Sequence, residues 1–145
     1  MFSQDFKEFV SLLIKYNVEY LIVGGYAVGV HGHPRYTGDL DIWINPTHEN
    51  AEKVVISVNE FGFGSFGLQV NDFTKIGNLV QLGYPPLRID LLTEIDGVSF
   101  NVCFQNKIEI EIDGLKVFFI GYADLIQNKK ATARHKDLDD IDHLK

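Results

Sequence analysis

Apolar residues Phe6, Phe9, Val10, Leu13 and Ile14 recur three and four positions apart, which predicts a helix from about Gln4 to Tyr16 with Ser3 as its N-cap. The pattern then changes. "EYLIVGG" is a short unbroken apolar run that reads as a buried strand ending in a glycine turn, and "YAVGVHG" fits a short helix opened by that turn. "DLDIWIN" reads as a second strand, stopped by Pro46, and Thr47 is placed to cap a helix through "HENAEKVVISVNEFG" to Gly62. "FGFGSFGLQV" is too rich in glycine to assign. "NLVQLGY" and "LRIDLLTEI" read as two strands joined by the Pro-Pro pair. "KIEIEIDGLKVFFIG" alternates on both sides of Asp113-Gly114, the pattern of a hairpin with a type I′ turn. The polar tail "YADLIQNKKATARHKDLDDIDHLK" reads as one or two helices. With no repeat or linker, these elements predict one α+β domain over residues 1–145.

Composition narrows the classes. Hydrophobic residues make up 46% and charged residues 23% of the 145, as in an ordinary globular protein. A net charge of −7 argues against sequence-independent binding of nucleic acid, which needs Lys and Arg in excess. The start lacks a basic signal-peptide region, and no run approaches the ~20 apolar residues of a membrane helix, so a cytoplasmic protein with no membrane partner is expected. Cys103, the single cysteine, reads as a small buried thiol.

The candidate chemistry lies in "GGYAVGVHGHPRYTGDLDIWI", residues 24–44. Alternate side chains of a strand share a face, so Asp39 and Asp41 project together while Leu40, Ile42 and Ile44 turn into a core. Two carboxylates this close repel and raise one pKa unless a cation sits between them. Either the pair tops an edge strand and faces water, or it holds a hard divalent ion. Gly24 and Gly25 add weight to the second reading. A strand, a Gly-Gly turn and a helix start expose backbone N–H groups to an anion and let a phosphate approach. An anion cradle followed by a metal-binding acid pair is apparatus for phosphoryl or nucleotidyl transfer.

Here the sequence resembles the DNA polymerase β-like nucleotidyltransferase superfamily. The likeness rests on "VGG" at 23–25 and on Asp39-x-Asp41 among apolar residues. "RYTGDLD", with Arg35 and Thr37, and the Lys-bearing "NKKATARHKDLDDIDHL" are similar to a small bacterial branch that includes abortive-infection and toxin–antitoxin nucleotidyltransferases. The resemblance implies a minimal nucleotidyltransferase fold: a mixed central sheet with helices on one side, a β-hairpin and C-terminal helices. It also implies a third carboxylate on a neighbouring strand. Asp90 in "LRIDLLTEI" is the candidate, Glu94 the weaker alternative. A charge in so apolar a strand needs a partner, such as a metal or Arg88. The implied mechanism uses two Mg²⁺ or Mn²⁺ ions on Asp39, Asp41 and Asp90, with Asp90 as general base. The donor would be an NTP, most simply ATP. The acceptor is an unassigned hydroxyl on a protein, a tRNA or a small molecule.

Gly24, Gly25, Arg35, Thr37 and Lys129 are the expected nucleotide and phosphate contacts. Arg35 has an equal claim to holding the loop before Asp39, and Thr37 reads more as fixing that turn than as a ligand contact. Of the adjacent Lys129 and Lys130 at most one can face the site; the resemblance favours Lys129, and a solvated helix lysine is an equal reading of each. His31, His33 and His135 lack zinc-site spacing and read as surface or loop-satisfied residues, with a minor substrate role open to His31 and His33. "RHKDLDDIDHLK" lacks the glycine and terminal glutamate of a calcium loop and reads as a solvated helix. Trp43 reads as core packing, with base stacking as the alternative. Two rival functions stand beside transfer. One is a non-catalytic binding module that works with a protein partner, suggested by the shortness of the chain. The other is a hydrolase or nuclease on the same metal pair.

Overall fold

The structure, a computed structural model, describes residues 2–84 and 86–144, without the side chain of Ser65. Helix α1 (Gln4–Lys15) starts where the Phe6 N–H donates to Ser3 Oγ at 3.2 Å, and it buries Phe6, Phe9, Val10 and Leu13, the stripe its periodicity marks. Strand β1 (Tyr20–Val23) is wholly buried and runs straight into α2 (Gly24–Val30). Strand β2 (Asp39–Ile44) precedes α3 (His48–Val58), which is capped by Thr47 Oγ1 accepting from the Asn50 N–H. The helix does not run on to Gly62 in regular form. The chain kinks within Asn59–Phe63 at Gly62, whose φ of +114° lies outside helical space. The unassigned glycine-rich stretch becomes a 3₁₀ turn, Gly64–Phe66, followed by the short α4 (Val70–Thr74).

Strands β3 (Leu79–Tyr84) and β4 (Leu87–Leu92) pair antiparallel with Tyr84 opposite Leu87. Of the expected Pro-Pro turn between them, Pro85 lies outside the described residues. Helix α5 (Phe100–Gln105) has no counterpart among the elements the sequence pattern predicts. Strands β5 (Ile108–Ile112) and β6 (Leu115–Phe119) form the expected hairpin, with Asp113 at φ +51° and Gly114 at φ +83°, as a type I′ turn requires. Helices α6 (Tyr122–Thr132) and α7 (His135–Leu144) are separated at Ala133, which sits at φ +50°.

The six strands lie in the order β3-β4-β2-β1-β6-β5. β1 with β6 and β2 with β4 are parallel, the other pairs antiparallel, so the sheet is mixed and the class is α+β, as expected. Leu40, Ile42 and Ile44 are fully buried on one face of β2. On the other, Trp43 packs edge-to-face on Phe100 of α5 at 5.1 Å, so Trp43 is core and the far half of β2 is covered on both sides. Cys103 is buried too, and desolvation first, then the nearby Asp124, pushes its thiol up to about 12. Among the described residues no helix is long and apolar enough to cross a membrane.

Candidate active site

The two acid-bearing strands are parallel neighbours, which decides the geometry. Asp41 of β2 stands opposite Asp90 of β4, and Asp39 stands opposite Arg88. Side chains paired across a sheet share a face. Asp39, Asp41, Arg88 and Asp90 therefore point to the same side, and Ile89 and Leu91, flanking Asp90, are buried on the other. Asp90 is itself buried.

Arg88 supplies the partner a buried Asp90 requires. Its Nε donates to Asp90 Oδ1 at 2.7 Å, and its Nη2 donates to Asp90 Oδ2 and Asp39 Oδ2, each at 3.0 Å. The guanidinium thus ties two of the three carboxylates together. Asp41 is the third. Burial, then the charges of Asp90 and Asp39 and a hydrogen bond with Asp90, push its carboxyl up to about 7; Lys136 pulls weakly the other way.

A cavity of about 590 Å³ opens over this floor. Glu94 and Asp96 extend its acidic wall, while Lys129, Arg134 and Lys136 line it from α6, α7 and their junction. Carboxylates below and cations around the rim suit a ligand that carries phosphates on a metal ion.

The profile of a family described as nucleotidyl transferase of unknown function (DUF2204) matches residues 2–145. The chain belongs to that family. Similar in fold to this family member are a candidate nucleotidyltransferase from Thermotoga maritima and an antigenic nucleotidyltransferase-like protein from Paracoccidioides brasiliensis. The first has a TM-score of 0.63 at 15% identity over 92% of this chain and 86% of its own. The second has a TM-score of 0.56 at 19% identity over 97% of this chain and 74% of its own. No curated protein matches the sequence.

The site residues expected from the sequence divide between two places. Gly24 and Lys129 line the acid cavity with Asp39, Asp41 and Asp90. Gly25, Arg35 and Thr37 line a separate recess of about 330 Å³. The two glycines also answer to close packing. A Cβ on Gly24, at φ +68°, would overlap the Asp41 carboxylate and lie 3.0 Å from its Cγ. A Cβ on Gly25 would come within 2.8 Å of Thr37 Oγ1. Thr37 Oγ1 in turn donates to the Asp39 carbonyl at 3.3 Å, fixing the turn into β2. Gly24→Ala should therefore displace Asp41 and cost about 1–2 kcal/mol from the left-handed backbone alone. Thermal unfolding should show the loss, and calorimetry should show weakened Mg²⁺ binding. Unchanged Mg²⁺ binding would mean that Asp41 does not depend on this glycine.

Helix α7 corrects the reading of a solvated acidic tail. Asp137, Asp140, Ile141 and Leu144 form its buried face, while Leu138 is 48% exposed. The Lys129 Nζ lies 3.0 Å from Asp137 Oδ1 and 3.3 Å from Asp140 Oδ2. Arg35 donates to both oxygens of Asp140 at 3.0 Å, and Arg134 donates to both oxygens of Asp137 at 2.7 and 3.2 Å. Arg35 thereby holds the loop before Asp39 against α7. His31 is satisfied in place, its Nε2 2.7 Å from the Ile120 carbonyl oxygen. Arg134 and Lys136 are the cavity cations that sequence reasoning passes over. Their one signal is the basic string "RHK" opening an acidic helix.

Proposed function

We propose that this chain is a metal-dependent nucleotidyltransferase that moves a nucleoside monophosphate from an NTP, most simply ATP, to a hydroxyl acceptor. The observation that carries the proposal is the register of β2 on β4, which sets Asp41 beside Asp90 and Asp39 two residues away on one face, under a cation-rimmed cavity. These residues fit Mg²⁺ or Mn²⁺. The donors are hard oxygens, and the space a Cβ would fill at Gly24 is taken by the Asp41 carboxylate. Asp39, Asp41 and Asp90 would hold two ions, which supply Lewis-acid stabilisation of the triphosphate and lower the pKa of the attacking hydroxyl.

The residues of the chain divide the remaining work. Asp90 is the proposed base for the acceptor hydroxyl. Arg88 donates one hydrogen bond to each of its oxygens, which holds the carboxylate in place and leaves each oxygen a second lone pair for a proton or a metal. Gly24, Lys129, Arg134 and Lys136 face the space where the phosphates would lie. Gly25, Arg35 and Thr37 act from behind, by fixing the strand that carries Asp39 and Asp41.

One observation favours a second reading, a non-catalytic nucleotide-binding module that works with a protein partner. Arg88 bridges Asp39 and Asp90 directly and so is itself a cation between the two carboxylates. A single experiment separates the two. Purified protein, Mg²⁺ and each α-labelled NTP are incubated with cell lysate, with Asp41→Asn as control. Label on a protein, RNA or small molecule in the wild-type sample alone supports transfer. Mg²⁺-dependent NTP binding without label transfer supports the module, and release of a free monophosphate supports a hydrolase.

A further inference from the structure

Histidine spacing in the sequence gives no metal site, yet the fold brings two distant histidines together. His33, in the loop before β2, and His143, in the last turn of α7, stack with ring centroids 4.0 Å apart and planes 14° from parallel. Asp139, one helical turn before His143, joins them. One ligand atom from each of the three lies within 4.8 Å of the others. We propose that His33, Asp139 and His143 bind a borderline divalent cation, Zn²⁺ above all, at a site separate from the acid cluster.

The donor set decides the metal class. Two imidazole nitrogens and a carboxylate oxygen match Zn²⁺, whereas the three carboxylates around Asp41 match Mg²⁺ or Mn²⁺. His143 Nδ1 is 2.8 Å from the Asp139 carbonyl oxygen and 3.6 Å from Asp139 Oδ1, and His33 Nε2 is 3.9 Å from Asp140 Oδ1. The hydrogen bond to the carbonyl orients the His143 ring and leaves its Nε2 with a free lone pair, as outer contacts do at metal sites. Metal–ligand bonds near 2.0–2.2 Å require the three donors to draw in from their present spacing. Asp139 and His143 are exposed, so side-chain rotation can achieve that.

The backbone needs no such movement. Arg35, two residues beyond His33, makes both its hydrogen bonds to Asp140, the neighbour of Asp139, and so fixes the spacing of loop and helix in advance. A bound ion would then cross-link the loop leading to Asp39 with α7.

The test uses untagged protein in saturating Mg²⁺, so that the acid cluster is already supplied with its preferred ion. Zn²⁺ is titrated by calorimetry, and Co²⁺ is added in its place to read the visible d–d spectrum. The wild type should bind one Zn²⁺, gain thermal stability from it and give a Co²⁺ band. His33→Gln and His143→Gln should each weaken Zn²⁺ at least about tenfold and lose the band. Asp41→Asn should leave both unchanged, although it removes the proposed transfer activity, so the two readings fail separately. Equal Zn²⁺ affinity in the histidine variants would overturn the site. So would the absence of Zn²⁺ binding in the wild type, or its loss in Asp41→Asn, which would place the ion among the carboxylates.

Discussion

Asp41→Asn should raise the stability of the metal-free protein at pH 8 while abolishing nucleotidyl transfer. The sign follows from the Asp41 carboxyl, whose pKa rises from 3.8 in the unfolded chain to about 7 in the fold. Between those values the native state holds a proton that the unfolded state releases. Stability from this group is therefore full below pH 4, declines as pH rises and is gone above about 7. A rise of that size corresponds to about 4 kcal/mol at most. Asparagine has nearly the same shape and no charge, so it removes this decline. In EDTA, the wild type should lose ground to the variant between pH 5 and pH 8 in denaturant titrations. Adding Mg²⁺ at pH 8 should stabilise the wild type by mass action and leave the variant almost unmoved. Transfer should fall about 10³-fold or more. A variant that is less stable at pH 8, or that responds fully to Mg²⁺, would remove Asp41 from the centre of the site.

The second large effect lies behind the site. Asp137 is fully buried and accepts from the Lys129 Nζ, Thr132 Oγ1, and the Arg134 backbone N–H, Nε and Nη2. Burial alone would raise its pKa. The bonds from Arg134, Thr132 and Lys129 outweigh that and hold the carboxyl well below the usual range. Asp140 is lowered in the same way, against its own burial, by Arg35 and Lys129. Lys129→Met should leave two buried carboxylates without their shared cation, at a cost of about 3–5 kcal/mol. Asp137→Ala should cost a similar amount, and the double variant less than the sum, because both break one network. The pH signature is opposite to that of Asp41. These two carboxylates contribute stability that is present above the unfolded pKa near 4 and lost as pH falls through their lower folded values. Thermal melts of the two single variants and the double variant give the answer. If Lys129→Met kept its melting temperature and lost only Mg²⁺–NTP binding, phosphate contact would be the main work of Lys129.

The local features of this chain are legible because each depends on residues within a few positions. Ser3 and Thr47 cap helices because a hydroxyl reaches an N–H three residues on. Asp113-Gly114 makes a hairpin because both positions tolerate positive φ. Asp39 and Asp41 share a face because a strand has a period of two. Even Arg88 can be named from the sequence as a partner for Asp90, since both lie on one face of one strand.

Tertiary structure decided everything that depends on distant segments meeting. Nothing local makes β4 the parallel neighbour of β2, yet that pairing alone sets Asp90 beside Asp41. Nor does α7 announce its orientation. Its acidic residues suggest a solvated helix, but Asp137 and Asp140 turn inward because Lys129, Arg35 and Arg134 meet them there. A buried charge is tolerable only where counter-charges arrive from elsewhere, and a single stretch of sequence cannot show their arrival. The same reason hides His33 from His143, 110 positions apart in the chain and stacked in the fold. The sequence by itself determined the strand that carries the acids; the packing of α7 and β4 against it decided what those acids face.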